Sequence, residues 1–268
     1  MSAKHFSLKD ILGLRAIERD EFEGCGPSYP WGGLYGGQIL AQSLIAAAKT
    51  VEGAGEAPFL PHSLHAYFIR SGRMGAAVRY HVTRLRDGRS FATRRIQAIQ
   101  SDELIAEAMC SFHRPEPSLD LQRESRPMPP QSRLERHRWS PIVDRLYLPE
   151  TSDDAHAALM RFDEKLDDAP ELHFAGLAFL SDDLPTEALG LFRPEHLIPG
   201  RDPWPFFSAS LDHAIHFHAP LRVDEYHLHV FRATRFNGAR GLSRGEVFSA
   251  EGIHVASVVQ EILLREKR

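Results

Sequence analysis

A weak internal repeat at half-length constrains the fold of this chain more than any other feature. Residues 89–96, RSFATRRI, lie 151 positions before residues 240–247, RGLSRGEV. The run LIAEAMC lies about 150 positions before HVASVVQ. Self-similarity at a fixed spacing is the mark of a duplicated structural unit. The repeat therefore predicts two copies of one fold, with two unrelated α+β halves as the alternative.

Each copy is predicted to contain one helix followed by about four strands. In the first half, GQILAQSLIAAAKTV (residues 37–51) has apolar residues at helical spacing. Four runs rich in β-branched and aromatic residues follow it, and residue pairs typical of turns separate them. The second half repeats this order, beginning with ELHFAGLAFLSDDL. We expect residues 30–113 and 172–265 to form two helix-on-antiparallel-sheet units that share one long sheet.

A proline-rich stretch separates the two copies. Prolines stand at positions 115, 117, 127, 129, 130 and 141, without sustained apolar periodicity. Such composition is typical of a connection between domains. The predicted division is an N-terminal unit at 1–114, a linker at 115–145 and a C-terminal unit at 146–268.

Charge and cysteine content exclude several classes of function. The formal net charge is −4, so no basic field is available for a nucleic acid. No run of about 18 apolar residues indicates a membrane span, and the first ten residues lack the apolar core of a signal peptide. The two cysteines, Cys25 and Cys110, are too few for a disulfide framework and fit a reducing compartment. The expected location is the cytoplasm.

The stretch GLSRG, residues 241–245, has the G-x-S-x-G form of a serine-hydrolase nucleophile turn. That turn requires a helix after the second glycine, whereas the residues after Gly245 alternate in the manner of a strand. Ser243 is therefore predicted to be a strand residue. A serine hydrolase acting through Ser243 remains the less favoured alternative.

Histidines and arginines suggest two further kinds of site. His216 and His218 would share one face of a strand, as in some β-sheet metal sites. No familiar zinc motif accompanies them, so a structural role is favoured and neither a metal nor an organic cofactor is expected. Arginines 94, 95, 240 and 244 could bind a phosphate-bearing ligand, although a solvated sheet edge explains any one of them.

Taken together, several segments resemble the type II acyl-CoA thioesterases. In chain order they are GLYGGQILAQSLIAAAKTV, HSLHAYFIR, RDGRSFATRRIQAIQ, FLSD, SLDHAIHFHAP and ARGLSRGEVFSAEGIHVASVVQE. The resemblance covers roughly residues 20–115 and 170–265. It implies a tandem double hotdog fold of the α+β class and hydrolysis of fatty acyl-CoA. It also identifies GLSRG as part of a strand signature of this family.

The resemblance implies a set of site residues. By position, the family's carboxylate, hydroxyl and glutamine, which orient the attacking water, correspond to Asp182, Ser210 and Gln260. Asp182 is expected in the second helix and the other two on strands, with an acyl groove opening beside them. Asp183 is expected to point away from the site. The chain departs from the family pattern at Ser71, Arg73 and Ala219.

The chemistry of a thioester agrees with such a site. Its carbonyl is electrophilic enough for a well-held water to attack, given a carboxylate base, orienting groups and donors for the oxyanion. The start of the first helix, Gly36, Gly37 and Gln38, is the predicted source of oxyanion donors, and Arg240 and Arg244 are candidates for substrate binding. A homodimer or larger assembly is also expected, and a non-catalytic acyl-CoA-binding protein is the alternative function.

Overall fold

The computed structural model of the protein describes residues 6–51, 58–148, 155–192 and 206–266. The helices are α1 (Leu8–Leu12), α2 (Gly36–Ala48), α3 (Pro170–Leu180) and α4 (Pro185–Ala188), with short 3-10 turns at Gln131–Arg133 and Leu189–Phe192. The strands are β1 (Arg15–Glu18), β2 (Glu21–Gly24), β3 (Leu60–Phe68), β4 (Val78–Asp87), β5 (Phe91–Gln100), β6 (Glu103–His113), β7 (Glu135–Arg136), β8 (Val143–Tyr147), β9 (His156–Phe162), β10 (Phe206–Ser210), β11 (Asp212–Phe217), β12 (His227–Asn237), β13 (Arg240–Phe248) and β14 (His254–Glu266).

All of these strands belong to one antiparallel sheet. Its order is β1-β2-β4-β5-β6-β3-β11-β14-β13-β12-β9-β8-β7, and β10 pairs with β14 beside β11. The run β2-β4-β5-β6-β3 of the first half matches β9-β12-β13-β14-β11 of the second. The two runs meet where β3 pairs with β11. The predicted duplication and the single continuous sheet are both confirmed.

Strand register relates each residue of one unit to a counterpart in the other. Ala92 lies opposite Phe112 in the first unit, as Ser243 lies opposite Gln260 in the second. The offset is therefore 151 positions for β5 and β13 (243 − 92) and 148 for β6 and β14 (260 − 112). The repeat in the sequence suggested about 150 for the last strand, which is two residues too many.

Helices α2 and α3 pack against each other and against one face of the sheet. In α2, every residue from Gly37 to Ala47 is buried, and in α3 every residue from His173 to Leu180 is buried. Helices that are apolar on nearly all sides belong in the interior of a protein. The beginning of α2 consequently lies beside the end of α3.

Several elements were not predicted from the sequence. Strands β1, β2, β8 and β9 extend the sheet at both edges, and β7 lies in the stretch predicted as a linker. The first strand expected after the helix of the second half is divided at Leu211, where the backbone changes from β10 to β11. The domain division at residues 114 and 145 stays a prediction. Within the described residues, no helix is both long and apolar enough to cross a membrane.

Candidate active site

The carboxylate of Asp182 is the centre of a buried polar cluster between the two units. Helix α3 ends at Leu180 and Ser181 is its C-cap, so Asp182 follows the helix rather than lying inside it as the sequence predicted. Its Oδ2 accepts a hydrogen bond of 2.8 Å from the backbone N–H of Gly37 in the first unit. This bond joins residues 145 positions apart and ties the end of α3 to the start of α2.

Two strand residues of the second unit bind the other carboxylate oxygen. The Gln260 Nε2 donates to Asp182 Oδ1 at 2.8 Å, and the Ser210 Oγ donates to the same oxygen at 3.3 Å. Gln260 Nε2 also donates to Ser210 Oγ at 2.7 Å. Ser210 ends β10 and Gln260 lies within β14, so neighbouring strands bring the two side chains to one carboxylate. The three residues implied by the resemblance therefore converge.

Burial changes the acid–base character of Asp182. Loss of hydration raises the pKa of this carboxyl to about 7, even though the hydrogen bonds from Gln260, Gly37 and Ser210 each act to lower it. Burial penalises the charged form, and donors that bind the carboxylate favour it. A carboxylate with a pKa near the working pH is suited to accept and release a proton.

Comparison with known proteins identifies the family. The model of the acyl-CoA thioesterase N-terminal domain matches residues 27–113, and the model of the C-terminal domain matches residues 114–264. The chain belongs to the acyl-CoA thioesterase family. Since the matched segments cover most of the chain and both halves, this assignment applies to the tandem pair of hotdog units.

Individual relatives agree with this family. The chain is 29% identical to acyl-coenzyme A thioesterase 8 of Rattus norvegicus, over 96% of this chain and 88% of that protein. It is 28% identical to acyl-CoA thioesterase 2 of Haemophilus influenzae, over 97% of each chain. The crystal structure of the acyl-CoA thioesterase II TesB2 from Mycobacterium marinum superposes with a TM-score of 0.83 at 29% identity, covering 97% of each chain.

A histidine that the sequence analysis did not assign to the site completes the cluster of this thioesterase. His213 is buried, its Nδ1 lies 2.5 Å from Gln260 Oε1, and its Nε2 lies 2.9 Å from Ser181 Oγ. Burial lowers the pKa of His213 to about 4, against the hydrogen bond to Gln260, which favours the charged form. The available signal was the Asp-His pair at 212–213, which lies inside the segment SLDHAIHFHAP of the family resemblance.

The start of α2 meets the predicted donor role only in part. The N–H of Gly37 is already bonded to Asp182. The Gln38 side chain points into the core, where its Oε1 accepts from the Tyr29 hydroxyl at 2.8 Å. Gly36 is only half-buried, and among the described residues its N–H has no acceptor. Gly36 is consequently the least engaged of the three, and the oxyanion role of these N–H groups stays a prediction.

Position 36 requires glycine, because the backbone there passes close to the carboxylate of Asp182. A Cβ at this position would lie 2.7 Å from Asp182 Oδ2 and 3.0 Å from the ring of Phe68. Both distances are shorter than van der Waals contact, so any side chain would displace the carboxylate or the ring. Glycine thus leaves open the space directly beside Asp182.

The two arginines proposed for substrate binding lie on the other face of the sheet. Ser243 lies opposite Gln260 and both are buried on the helix side, so strand alternation directs Arg240 and Arg244 outward. Arg240 is paired with Glu261 at 3.0 Å. Of the other two arginines, Arg94 is fully buried and donates to Thr50 Oγ1 at 2.8 Å. The side chains of Arg240 and Arg244 thus lie away from the cluster around Asp182, and substrate binding by them stays a prediction.

Ser243 is the strand residue that the alternation predicted. It lies in β13, it is fully buried, and its hydroxyl is 3.5 Å from the Arg232 carbonyl oxygen. Strand β13 leads through a turn into β14, and no helix follows Gly245. The structure therefore contradicts a nucleophile turn. Within the described residues, no group of histidine, cysteine and carboxylate side chains could hold a metal ion.

Asp183, which the sequence predicted to point away from the site, does not point into solvent. Its side chain is 5% exposed and its Oδ1 lies 2.7 Å from Nη1 of Arg145, a side chain that is itself 1% exposed. The chain has already left the helix at this point, so helical geometry does not set the direction of the side chain. Asp183 is a partner in a buried ion pair.

Among the described residues, the corresponding end of the first unit lacks the polar cluster. By register, Phe112 stands where the second unit has Gln260, and Phe59 stands where it has Ser210. Thr50, one residue beyond the cap of α2, occupies the place of Asp182 and accepts from Arg94. A cavity of about 640 Å³ lies at this end, and Phe59 and Phe112 are among its lining residues. It does not include Asp182, and the acyl groove expected beside Asp182 stays a prediction.

Proposed function

We propose that this thioesterase hydrolyses fatty acyl-CoA to the free acid and CoA through a water molecule activated by Asp182. The observation that supports the proposal is that two strand side chains bind one buried carboxylate, which lies just beyond the end of a helix. Ser210 and Gln260 both bind Asp182 Oδ1. They have no local reason to meet, because Ser210 is 28 residues from Asp182 and Gln260 is 78 residues from it.

The proposed reaction begins with a water held at Asp182 beside Gly36. As the water oxygen attacks the thioester carbonyl carbon, the carboxylate accepts one of its protons. Ser210 and Gln260 hold the carboxylate and the water in position, which lowers the entropy cost of the attack. The tetrahedral intermediate then expels the CoA sulfur, and the proton on Asp182 passes to that sulfur. The carboxylate is thereby restored.

The negative charge that develops on the carbonyl oxygen requires a donor. We propose the backbone N–H of Gly36, which is at the first turn of α2, where backbone N–H groups lack helical partners. Since the positive end of the helix dipole lies at the same place, it would also favour an oxyanion. The N–H of Gly37 acts differently in this scheme, because it holds the carboxylate of Asp182.

Release of free thiol from acyl-CoAs of varied chain length tests the proposal. Asp182→Ala is expected to lower kcat by about 10²–10⁴-fold, the range for loss of a general base. Ser210→Ala and Gln260→Ala should cause smaller losses, because these residues orient rather than accept the proton. The matched controls are Ser208→Ala, at an exposed position of the same strand, and Asp167→Ala, whose side chain is 80% exposed.

The proposal makes Asp182 indispensable, so hydrolysis by Asp182→Ala at the wild-type rate would refute it. Binding of acyl-CoA by the wild-type protein without thiol release would instead indicate a non-catalytic acyl-CoA-binding protein. Thermal stabilisation by acyl-CoA, measured in parallel, distinguishes these outcomes.

We also propose that the protein forms a homodimer or larger assembly and acts in the cytoplasm. Among the described strands no long sheet edge is exposed, because the terminal strands β1 and β7 have only four and two residues. Exposed apolar side chains on β3 and β6, Tyr67 and Met109, support assembly instead. A monomeric mass by light scattering at micromolar concentration would contradict it.

The proposed location in the cytoplasm is supported by the two free cysteines, which fit a reducing compartment.

A further inference from the structure

The His213 ring connects two members of the active-site cluster from behind. It contacts Gln260 through Nδ1 at 2.5 Å and Ser181, the residue before Asp182, through Nε2 at 2.9 Å. The ring is 1% exposed and does not itself contact Asp182 among the hydrogen bonds of the structure. The side chain that links the ring to the carboxylate by hydrogen bonds is Gln260.

Hydrogen-bond chemistry fixes the direction of the two contacts that Gln260 makes. An ionised carboxylate only accepts, so Gln260 has to direct its NH2 group to Asp182 and its carbonyl oxygen to His213. A carbonyl oxygen also only accepts, so Nδ1 of His213 has to carry a hydrogen. In a neutral imidazole Nε2 is then an acceptor, and the Ser181 hydroxyl lies 2.9 Å from both this nitrogen and the Ala178 carbonyl oxygen, to which it donates.

The opposite tautomer would disturb the site. With its hydrogen on Nε2, the ring would present an acceptor at Nδ1. The Gln260 amide would then flip, so that its NH2 group could donate a hydrogen bond to Nδ1. The amide oxygen would then face the carboxylate of Asp182, so that two acceptors would oppose each other at a distance of about 2.8 Å. Asp182 would lose a donor that stabilises its charged form.

We propose that His213 is a positioning residue that fixes the amide of Gln260 so that its NH2 group faces Asp182. This inference rests on the proposed function, since it assigns His213 a role in the reaction of Asp182. The order of donation is His213 to Gln260 and Gln260 to Asp182. The ring is neutral throughout and exchanges no proton with the substrate.

The first unit provides an internal control. By register His62 is the counterpart of His213, because Leu64 opposite Cys110 matches Ile215 opposite Val258. The ring of His62 contacts the Ser111 hydroxyl at 2.8 Å. Phe112 stands where the second unit has Gln260, so His62 has no glutamine to orient.

The tautomer can be read directly from the 15N chemical shifts of the His213 ring in the wild-type protein. A hydrogen on Nδ1 is expected at neutral pH, and a hydrogen on Nε2 would overturn the inference. This measurement does not depend on turnover. Its failure is therefore distinguishable from failure of the proposed function, which would appear as wild-type activity in Asp182→Ala.

Substitutions test the effect on the reaction. His213→Asn keeps an amide N–H near the position of Nδ1, His213→Gln places its amide near Nε2, and His213→Leu has neither group. The Leu and Gln variants are expected to lose about 10–100-fold in kcat/KM, whereas Asn should stay within a few-fold of wild type. The acid limb of the pH–rate profile should move up by about one pH unit in the Leu variant, because Asp182 loses an oriented donor. His62→Leu should change neither quantity.

The inference is tested by the activities and pH profiles of all the variants together, rather than by the loss of activity in any one of them. Equal activity losses in the Asn and Gln variants with an unchanged acid limb would show a merely structural role and overturn the inference. If the Leu variant does not fold, His213→Gln replaces it, and its acid limb should move in the same direction. In a Gln260→Ala background the His213 substitutions should leave the limb where it is, and a further shift there would also overturn the inference.

Discussion

The buried carboxylate of Asp182 should make the thioesterase less stable as the pH rises. The pKa of this group is about 7 in the folded protein and about 3.9 in an unfolded chain. Between these values the folded state binds one more proton than the unfolded state, so the free energy of unfolding falls with pH. The slope is about 1.4 kcal/mol per pH unit. From pH 5 to pH 7 the loss amounts to about 2–3 kcal/mol.

Asp182→Asn isolates this contribution, because an amide binds no proton in this range. Urea unfolding of both proteins at pH 5, 6, 7 and 8 gives two stability curves, and their difference cancels every other titrating group. The wild type should lose about 2–3 kcal/mol relative to the variant between pH 5 and pH 7 and little more above pH 8. Parallel curves would refute the reasoning. They would also show that Asp182 is not a base that titrates near neutral pH. The kcat/KM of the wild type should rise about tenfold per pH unit up to the same pKa.

Three further substitutions follow from the geometry of the site. Gly36→Ala should lower kcat/KM by about 100-fold while circular dichroism stays unchanged, because the added methyl group displaces the carboxylate of Asp182; wild-type kinetics would show that the space is not used. Asp183→Ala should lower the free energy of unfolding by about 3 kcal/mol, because it removes a partner of the buried Arg145; a urea midpoint equal to that of the wild type would contradict the ion pair. Ser243→Ala should keep most of the thiol-release activity, and a loss of about 100-fold or more would restore the serine-hydrolase hypothesis.

The fold could be predicted from the sequence because its periodic signals are local. Helix α2 and strands β3 to β6 have clear apolar patterns, and the hairpin turn at Ser101 and Asp102 has the positive φ angles, 50° and 62°, that such tight turns require. Strands β1 and β2 have only four residues each, too few for a periodic signal. In β9 the alanine-rich sequence HAALMRF is equally compatible with a helix.

The site residues could be predicted only where their positions in the sequence align with those of the family. The resemblance located Asp182, Ser210 and Gln260, since it carries the alignment of distant elements. It could not give the directions of side chains at positions outside helices and strands, such as Asp183 after the end of α3. Nor could the sequence give the outward direction of Arg240 and Arg244, which depends on strand register with β14.

The hydrogen bond from Gly37 to Asp182 has a consequence for the ancestry of the chain. Two separate copies of one unit, paired through β3-like strands about a two-fold axis, would have two identical helix-to-helix junctions, and any substitution would alter both. Covalent fusion removes that symmetry requirement, so one junction can keep its polar residues while the other becomes phenylalanine-rich, as Phe59 and Phe112 are here. One reacting centre per chain is the result. A tight-binding acyl-CoA analogue should accordingly titrate the protein at one equivalent per polypeptide, whatever the assembly state.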